Sequence, residues 1–145
     1  MNKKFFSLAA FALITLGAQA KVKLPHILGD NMVIQQNSEA NLWGWDKPGT
    51  EVKVTTSWSS QKYSVKTGKD GKWAVKVLTP KASYTPLSIT FDDGDQTTLN
   101  NILAGEVWVC AGQSNMEMPV KGFGNCPVKG YNKAVVSANQ YKGVH

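Results

Sequence analysis

Ser114 is the side chain of this sequence that is best placed to carry out chemistry. It follows an apolar run, 107–110, and the small-residue pair Ala111–Gly112. A short strand that runs into such a turn lifts a serine hydroxyl to the edge of a sheet. The turn also leaves backbone N–H groups free, and the N-terminus of a following helix favours the negative charge of an oxyanion. The pattern therefore predicts a nucleophilic serine.

The neighbours of Ser114 also allow a structural role. The motif is not the G-x-S-x-G turn of α/β-hydrolases, because Met116 stands where a glycine would be needed. Ser114 and Glu117 have the spacing of a capping box, in which the serine only satisfies the start of a helix. Pro119 argues against a regular helix, because proline restricts the residue before it and interrupts helical hydrogen bonding. Spacing alone leaves catalysis and capping both open.

Three segments of the chain together resemble a known family. The serine segment, 105–119 (GEVWVCAGQSNMEMP), is similar to the first block of the sialate O-acetylesterases, which are SGNH-hydrolase serine esterases. Segment 24–36 (LPHILGDNMVIQQ) resembles the start of the mature bacterial members, and 122–128 (GFGNCPV) also matches. The segments occur in the family's order, and the resemblance covers nearly all of the chain after residue 20.

The resemblance implies a serine esterase that removes O-acetyl groups from sialic acids. Ser114 would be the nucleophile and its N–H an oxyanion donor, with a supporting loop formed by Gly112, Gln113 and Asn115. In this family a glycine and an asparagine from later blocks supply further donors. A histidine in a D-x-x-H block near the C-terminus of the catalytic domain is the base. No cofactor and no metal ion are expected.

The later blocks of the family are not found in this sequence. Its histidines are His26 and the last residue, His145, and neither has a carboxylate at D-x-x-H spacing. Surface or edge positions are the preferred interpretation of both. A serine hydroxyl needs an adjacent base to become an effective nucleophile. We therefore predict that the sequence is the N-terminal part of a longer enzyme and is inactive by itself.

The region between Asn31 and Leu103 predicts an antiparallel β-sandwich. Its short segments rich in β-branched and aromatic residues alternate with period two; they are 32–36, 41–45, 51–57, 61–67, 72–78, 87–91 and 97–103. Pro48–Gly49 predicts a tight turn, and 68–71 and 92–95 predict hairpin loops. Alternation predicts a core made of Val52, Val54, Trp73, Val75, Val77, Leu87, Ile89 and Phe91.

We expect two domains after a signal peptide, in a mainly β chain. Residues 21–103 would form the β-sandwich. Following the resemblance, residues 104–145 would form the truncated start of a three-layer α/β/α SGNH hydrolase domain. That start would contain the strand at 107–110 and a helix that begins near Ala134 and ends near Gly143.

Residues 1–20 have the pattern of a cleavable export signal. Two lysines precede an apolar stretch that is too short to span a bilayer, and Ala18-Gln19-Ala20 resembles a cleavage site. The pattern predicts a periplasmic or secreted protein with no membrane contact after cleavage. In an oxidising compartment Cys110 and Cys126 could form a disulfide, although Cys110 could equally be a small buried residue.

Charge gives little support to other classes of function. The formal net charge is +6, and every basic residue is a lysine, so the chain lacks the bidentate fork of arginine for phosphate. Lysines alternate with apolar residues in segment 72–77, which is typical of a solvated sheet face rather than a nucleic-acid interface. The acidic turn 92–95 lacks the spacing of a calcium-binding loop, and two cysteines alone make a poor metal site.

The aromatic residues leave a non-catalytic function open. They could form a platform for stacking sugar rings or could simply be core; those considered are Trp43, Trp45, Trp58, Tyr63 and Trp73. Two hypotheses therefore stand beside sialate O-acetylesterase activity. One is an acetylxylan-type esterase, because serine motifs of this type do not determine the sugar. The other is a carbohydrate-binding β-sandwich without catalytic activity. The oligomeric state is not predicted.

Overall fold

The structure is a computed structural model, and it describes residues 21–141, 143 and 144. The predicted signal peptide and His145 lie outside the described residues. The described chain is mainly β, as predicted. Its elements in chain order are β1 Val33–Gln35, β2 Glu39–Trp45, β3 Glu51–Thr56, β4 Ser59–Lys66, β5 Lys72–Leu78, β6 Ser83–Asp92, β7 Gln96–Gly105, α1 Ser114–Glu117, β8 Gly122–Phe123, β9 Cys126–Pro127 and α2 Tyr131–Ala138.

The larger sheet has five strands in the order β1-β7-β6-β3-β4, and β2 and β5 form a separate two-stranded sheet. All the strands predicted between Asn31 and Leu103 are present. The pairing differs from the prediction at β1, which runs parallel to β7. β1 continues into β2 of the other sheet rather than into a hairpin with its neighbour, so no tight turn forces it to be antiparallel.

The turn at 68–71 is not the hairpin loop that the sequence predicts. The Gly68 N–H donates to the Lys72 carbonyl at 2.8 Å, so the turn is tight. However, β4 pairs with β3, and β5 pairs with β2, so the turn carries the chain from one sheet to the other. The acidic turn 92–95 does form the predicted hairpin, with Asp92 opposite Gln96.

One apolar cluster joins the two sheets. The predicted core residues are either buried or half-buried against this cluster. The indole of Trp73 on β5 packs against Phe91 on β6, with ring centroids 5.6 Å apart. Strands of both sheets contribute buried residues to this cluster, so the sheets share one core. The sandwich arrangement and the three-layer hydrolase domain stay predictions.

Candidate active site

The strand that leads to the serine is β7, and β1 lies directly beside it. Val33 is opposite Leu103 and Gln35 is opposite Gly105 in the parallel register. The Gln36 N–H also donates to the Gly105 carbonyl at 2.9 Å. Two of the segments that carry the family resemblance, 24–36 and 105–119, are therefore neighbours in the fold.

The turn before β1 is fixed to β7 by side chains. The Asp30 carboxylate accepts a hydrogen bond from the Asn100 N–H at 2.7 Å. Asn31 has a positive φ of 66°, a backbone conformation that asparagine tolerates better than most residues. Its side-chain oxygen accepts from the Asn101 amide at 2.7 Å. These contacts set the position of β1 along β7.

Glu106, directly after β7, is held by two glutamines of β1 and its following turn. The Gln35 and Gln36 amides donate to the Glu106 carboxylate at 2.9 Å and 2.6 Å. The Gln35 side-chain oxygen also accepts from the Val107 N–H at 2.9 Å. The hydrogen bonds from Gln35 and Gln36 lower the pKa of Glu106, because they stabilise its charged form. The start of the serine segment is thus anchored at the edge of the large sheet.

Replacing Gln36 with leucine is expected to raise the pKa of Glu106 towards its ordinary value. The variant removes one of the two amides that stabilise the carboxylate. Because the pKa of Glu106 is lowered in the folded state, its charged carboxylate stabilises the fold. This stabilisation is fully present above the pKa that the carboxyl group has in the unfolded chain, and it is lost as the pH falls through the folded-state pKa. A carbon-13 NMR titration of the Glu106 carboxyl group measures the shift. Gln61→Leu, at an exposed position on β4, is the matched control and should leave this pKa unchanged. An unchanged pKa in Gln36→Leu would contradict the anchoring role.

The predicted strand at 107–110 is wrong for the described structure. These residues form no strand, and Trp108 is 83% exposed. The segment has the apolar, β-branched pattern of a buried strand, but it has no hydrogen-bonded neighbouring strand within residues 21–141, 143 and 144. A strand cannot form without a partner, because its backbone hydrogen bonds are made between strands.

Ser114 is the first residue of α1, and Gln113 holds the N-cap position without a side-chain hydrogen bond to the helix. The capping box that the spacing of Ser114 and Glu117 left open is therefore not formed. The helix ends after one turn, where the Met118 N–H donates to the Ser114 carbonyl at 3.1 Å and Pro119 follows. The serine is exposed, and its hydroxyl makes no hydrogen bond to any other described residue. Ser114 therefore has no capping role in the described structure.

The predicted supporting loop surrounds the serine in an exposed turn. A side chain at Gly112 would place its Cβ 2.9 Å from Cγ of Met116, so glycine lets the turn fold closely onto α1. The Met116 N–H donates to the Gln113 carbonyl at 2.9 Å. The Ser114 N–H belongs to the first helical turn, where backbone N–H groups have no partner within the helix. This N–H group is therefore free to donate to an oxyanion, which is the role that the resemblance implies for it. Asn115 is the next residue of α1.

Among the described residues, no hydrogen bond joins a histidine to Ser114. His26 is exposed on the segment before β1 and makes no hydrogen bond to the serine, and His145 lies outside the described residues. No other described residue hydrogen-bonds to the Ser114 hydroxyl. The described structure therefore shows an exposed serine hydroxyl at the start of α1 with no basic side chain hydrogen-bonded to it.

The two cysteines are both free and exposed. Cys110 precedes the serine turn, and Cys126 lies in the small ribbon of β8 and β9. The disulfide that the sequence left open is not formed, and burial of Cys110 as a small core residue is wrong. Across residues 21–141, 143 and 144, no group of three His, Cys, Asp or Glu side chains could hold a metal ion. The same part of the chain has no helix long and apolar enough to cross a membrane.

Comparison with known proteins identifies the relatives of this chain. No protein-family model matches it. The sialate O-acetylesterase of Rattus norvegicus is 30% identical over an alignment of 123 residues, and the match covers 78% of this chain and 22% of the rat protein. The chain is related to the sialate O-acetylesterases. The human sialate O-acetylesterase is 34% identical over an alignment of 104 residues, and the match covers 64% of this chain and 20% of the human protein. The chain therefore spans about a fifth of the length of these sialate O-acetylesterases.

A solved structure agrees with the sequence relatives. A carbohydrate acetylesterase from Xanthomonas citri superposes with a TM-score of 0.65 at 28% identity, covering 81% of this chain and 26% of that one. The resemblance to the sialate O-acetylesterase family is thus confirmed by sequence and by structure.

The contact of Gln35 and Gln36 with Glu106 was not predicted from the sequence, because spacing in a sequence does not show which residues meet across two strands.

Proposed function

We propose that the protein is a serine esterase that removes acetyl groups from O-acetylated sugars, with sialic acids as its substrates. The observation that carries the proposal is the exposed Ser114 at the start of α1, with no capping role, in a segment that resembles the nucleophile block of the sialate O-acetylesterases. The names of the relatives support the same chemistry: sialate O-acetylesterase and carbohydrate acetylesterase.

In the proposed reaction, Oγ of Ser114 attacks the carbonyl carbon of the acetyl ester, and a base takes the hydroxyl proton. The Ser114 N–H donates to the oxyanion of the tetrahedral intermediate. The sugar oxygen leaves with the proton returned by the base, which forms an acetyl-serine. Water, deprotonated by the same base, then attacks the acetyl group and releases acetate and the free serine. We infer that this base is a histidine outside residues 21–141, 143 and 144.

The finer architecture belongs to this proposal. We infer that the two β-sheets form a sandwich over the shared apolar cluster, and that the serine segment opens a three-layer SGNH hydrolase domain. The exposed apolar segment 107–110 supports this, since its composition suits a strand that gains neighbours. The pattern of residues 1–20 supports export to the periplasm or the medium.

Acetate release by the native protein tests the proposal and identifies the sugar. We expect hydrolysis of an aryl acetate and of 9-O-acetylated sialic acid, with a higher kcat/KM for the sialic acid than for acetylated xylan. A higher value for acetylated xylan would establish the acetylxylan-type alternative. Residues 1–145 assayed alone should be inactive, since an exposed serine without a base is a weak nucleophile. No acetate release by the native protein from any substrate would refute an esterase function.

A further inference from the structure

A groove of about 430 Å³ lies on the outer face of the β2–β5 sheet. We call it the tryptophan groove. Trp43 and Trp45 of β2 line it, together with Ala74 and Lys72 of β5 and with Asp70 from the preceding turn. It shares no lining residue with the cavity beside Trp108 in the serine segment. It is therefore a separate site from the proposed catalytic serine.

The strand register explains why the groove is open. Trp43 is opposite Ala74 and Trp45 is opposite Lys72, so all four side chains lie on one face of the sheet. The small side chain of Ala74 leaves the flank of the Trp43 indole uncovered, and Trp43 is 39% exposed. The rings of Trp43 and Trp45 meet edge to face, with centroids 5.3 Å apart and an interplanar angle of 73°. The two indole rings therefore form an angled aromatic surface and not a flat one.

The floor of the groove is closely packed. Gly44 lies between the two tryptophans, and a Cβ there would be 2.3 Å from the Lys23 carbonyl oxygen and 2.9 Å from the Trp73 ring. The strand therefore packs directly onto Trp73, which is buried in the core. A preorganised aromatic surface loses little conformational entropy when a ligand binds.

Charged groups around the two tryptophans favour an anion. The Lys23 ammonium lies 5.8 Å from the centroid of the Trp45 ring. Among the described residues Lys23 forms no ion pair. Across the sheet, the Lys72 ammonium is 4.0 Å from the Asp70 carboxylate, and both side chains are mostly exposed, so this pair is weak. Two ammonium groups and one carboxylate thus surround the indoles.

We propose that the tryptophan groove binds an acidic sugar. The apolar C–H face of a pyranose ring stacks on the Trp43 indole, and the sugar carboxylate pairs with Lys23 or Lys72. The Asp70 carboxylate accepts hydrogen bonds from sugar hydroxyls. Sites of this kind combine an apolar aromatic lining with a few polar groups that fix orientation. The site would hold a glycan on the protein independently of acetyl transfer at Ser114.

NMR titration of the indole N–H groups tests the proposal on the Ser114→Ala protein, in which hydrolysis cannot interfere. The probes are sialyllactose, trigalacturonic acid, and lactose as the matched neutral sugar. We expect the Trp43 and Trp45 signals to shift and saturate at millimolar concentrations of an acidic sugar. The signal of Trp58, which does not line the groove, should not move. Lactose should bind at least about fivefold more weakly than sialyllactose.

Single substitutions identify the groups responsible. Trp43→Ala should weaken binding by about tenfold or more, because it removes the stacking surface. Lys23→Gln should weaken binding of the acidic sugar by about threefold. Lys62→Gln, on an exposed position of β4, is the matched control and should have no effect. Trp43→Phe keeps an aromatic surface, so it should retain more affinity than Trp43→Ala in a protein whose fold is checked by its NMR spectrum.

Three results would overturn the proposal. The first is the absence of shifts with both acidic sugars up to about 20 mM. The second is lactose binding as tightly as sialyllactose. The third is a shift of the Trp43 and Trp45 signals with protein concentration alone, which would show that a second copy occupies the groove. None of these bears on acetate release by the native protein, so failure of this site is distinguishable from failure of the proposed esterase.

Discussion

Replacing Ser114 with alanine is expected to abolish acetate release by the native protein, with kcat lowered by about 10⁴-fold or more. The substitution removes the proposed nucleophilic oxygen and little else. Ser114 makes no side-chain hydrogen bond that caps α1, and it is exposed, so alanine should not disturb the fold. Alanine is also a good helix former at this position. The measurement is kcat and KM on 9-O-acetylated sialic acid, with circular dichroism to check the fold.

Ser137→Ala is the matched control for this loss. Ser137 lies in α2, and its hydroxyl donates to the Ala134 carbonyl at 3.1 Å, a contact with no part in the proposed chemistry. Activity should be unchanged in this variant. A serine-directed phosphonate should label Ser114 in the native protein and not in Ser114→Ala, as measured by peptide mass spectrometry. Retention of more than about a tenth of kcat in Ser114→Ala would show that another group is the nucleophile.

Replacing Phe91 with alanine is expected to lower the free energy of unfolding by about 3–5 kcal/mol. Phe91 has no exposed surface and lies on β6, near the middle of the five-stranded sheet. Its ring packs against Trp73 of the other sheet, so the cavity left by alanine would lie between the two sheets. Denaturant unfolding followed by tryptophan fluorescence measures the loss, and the assay needs no substrate.

Phe123→Ala is the corresponding control. Phe123 lies in β8 and is 45% exposed, so its truncation should change the free energy of unfolding by less than about 1 kcal/mol. Phe91→Leu, which keeps most of the apolar volume, should cost less than Phe91→Ala. If Phe91→Ala cost no more than Phe123→Ala, the single core shared by both sheets would be incorrect.

The β-strands and most of the core could be predicted from the sequence, because alternation is a local property. Segment 72–78 alternates lysine with apolar residues, and β5 has the same bounds. Val52 and Val54 are two residues apart on β3, and both are buried as expected. The turn at 92–95 also follows from local chemistry. The serine segment could be found as well, since its residue types stand out and it resembles a family.

Only the tertiary structure decided which strands pair and what surrounds the serine segment. The turn at 68–71 has the composition of a hairpin, yet burial of Trp73 against Phe91 places β5 in the other sheet. The contact of Gln36 with Glu106 joins residues 70 positions apart, which no local pattern encodes. The composition of segment 107–110 predicts a strand, but the segment forms none among the described residues. The reason is physical: the sequence sets a segment's preference for extended backbone, whereas the hydrogen bonds that make it a strand come from its neighbours.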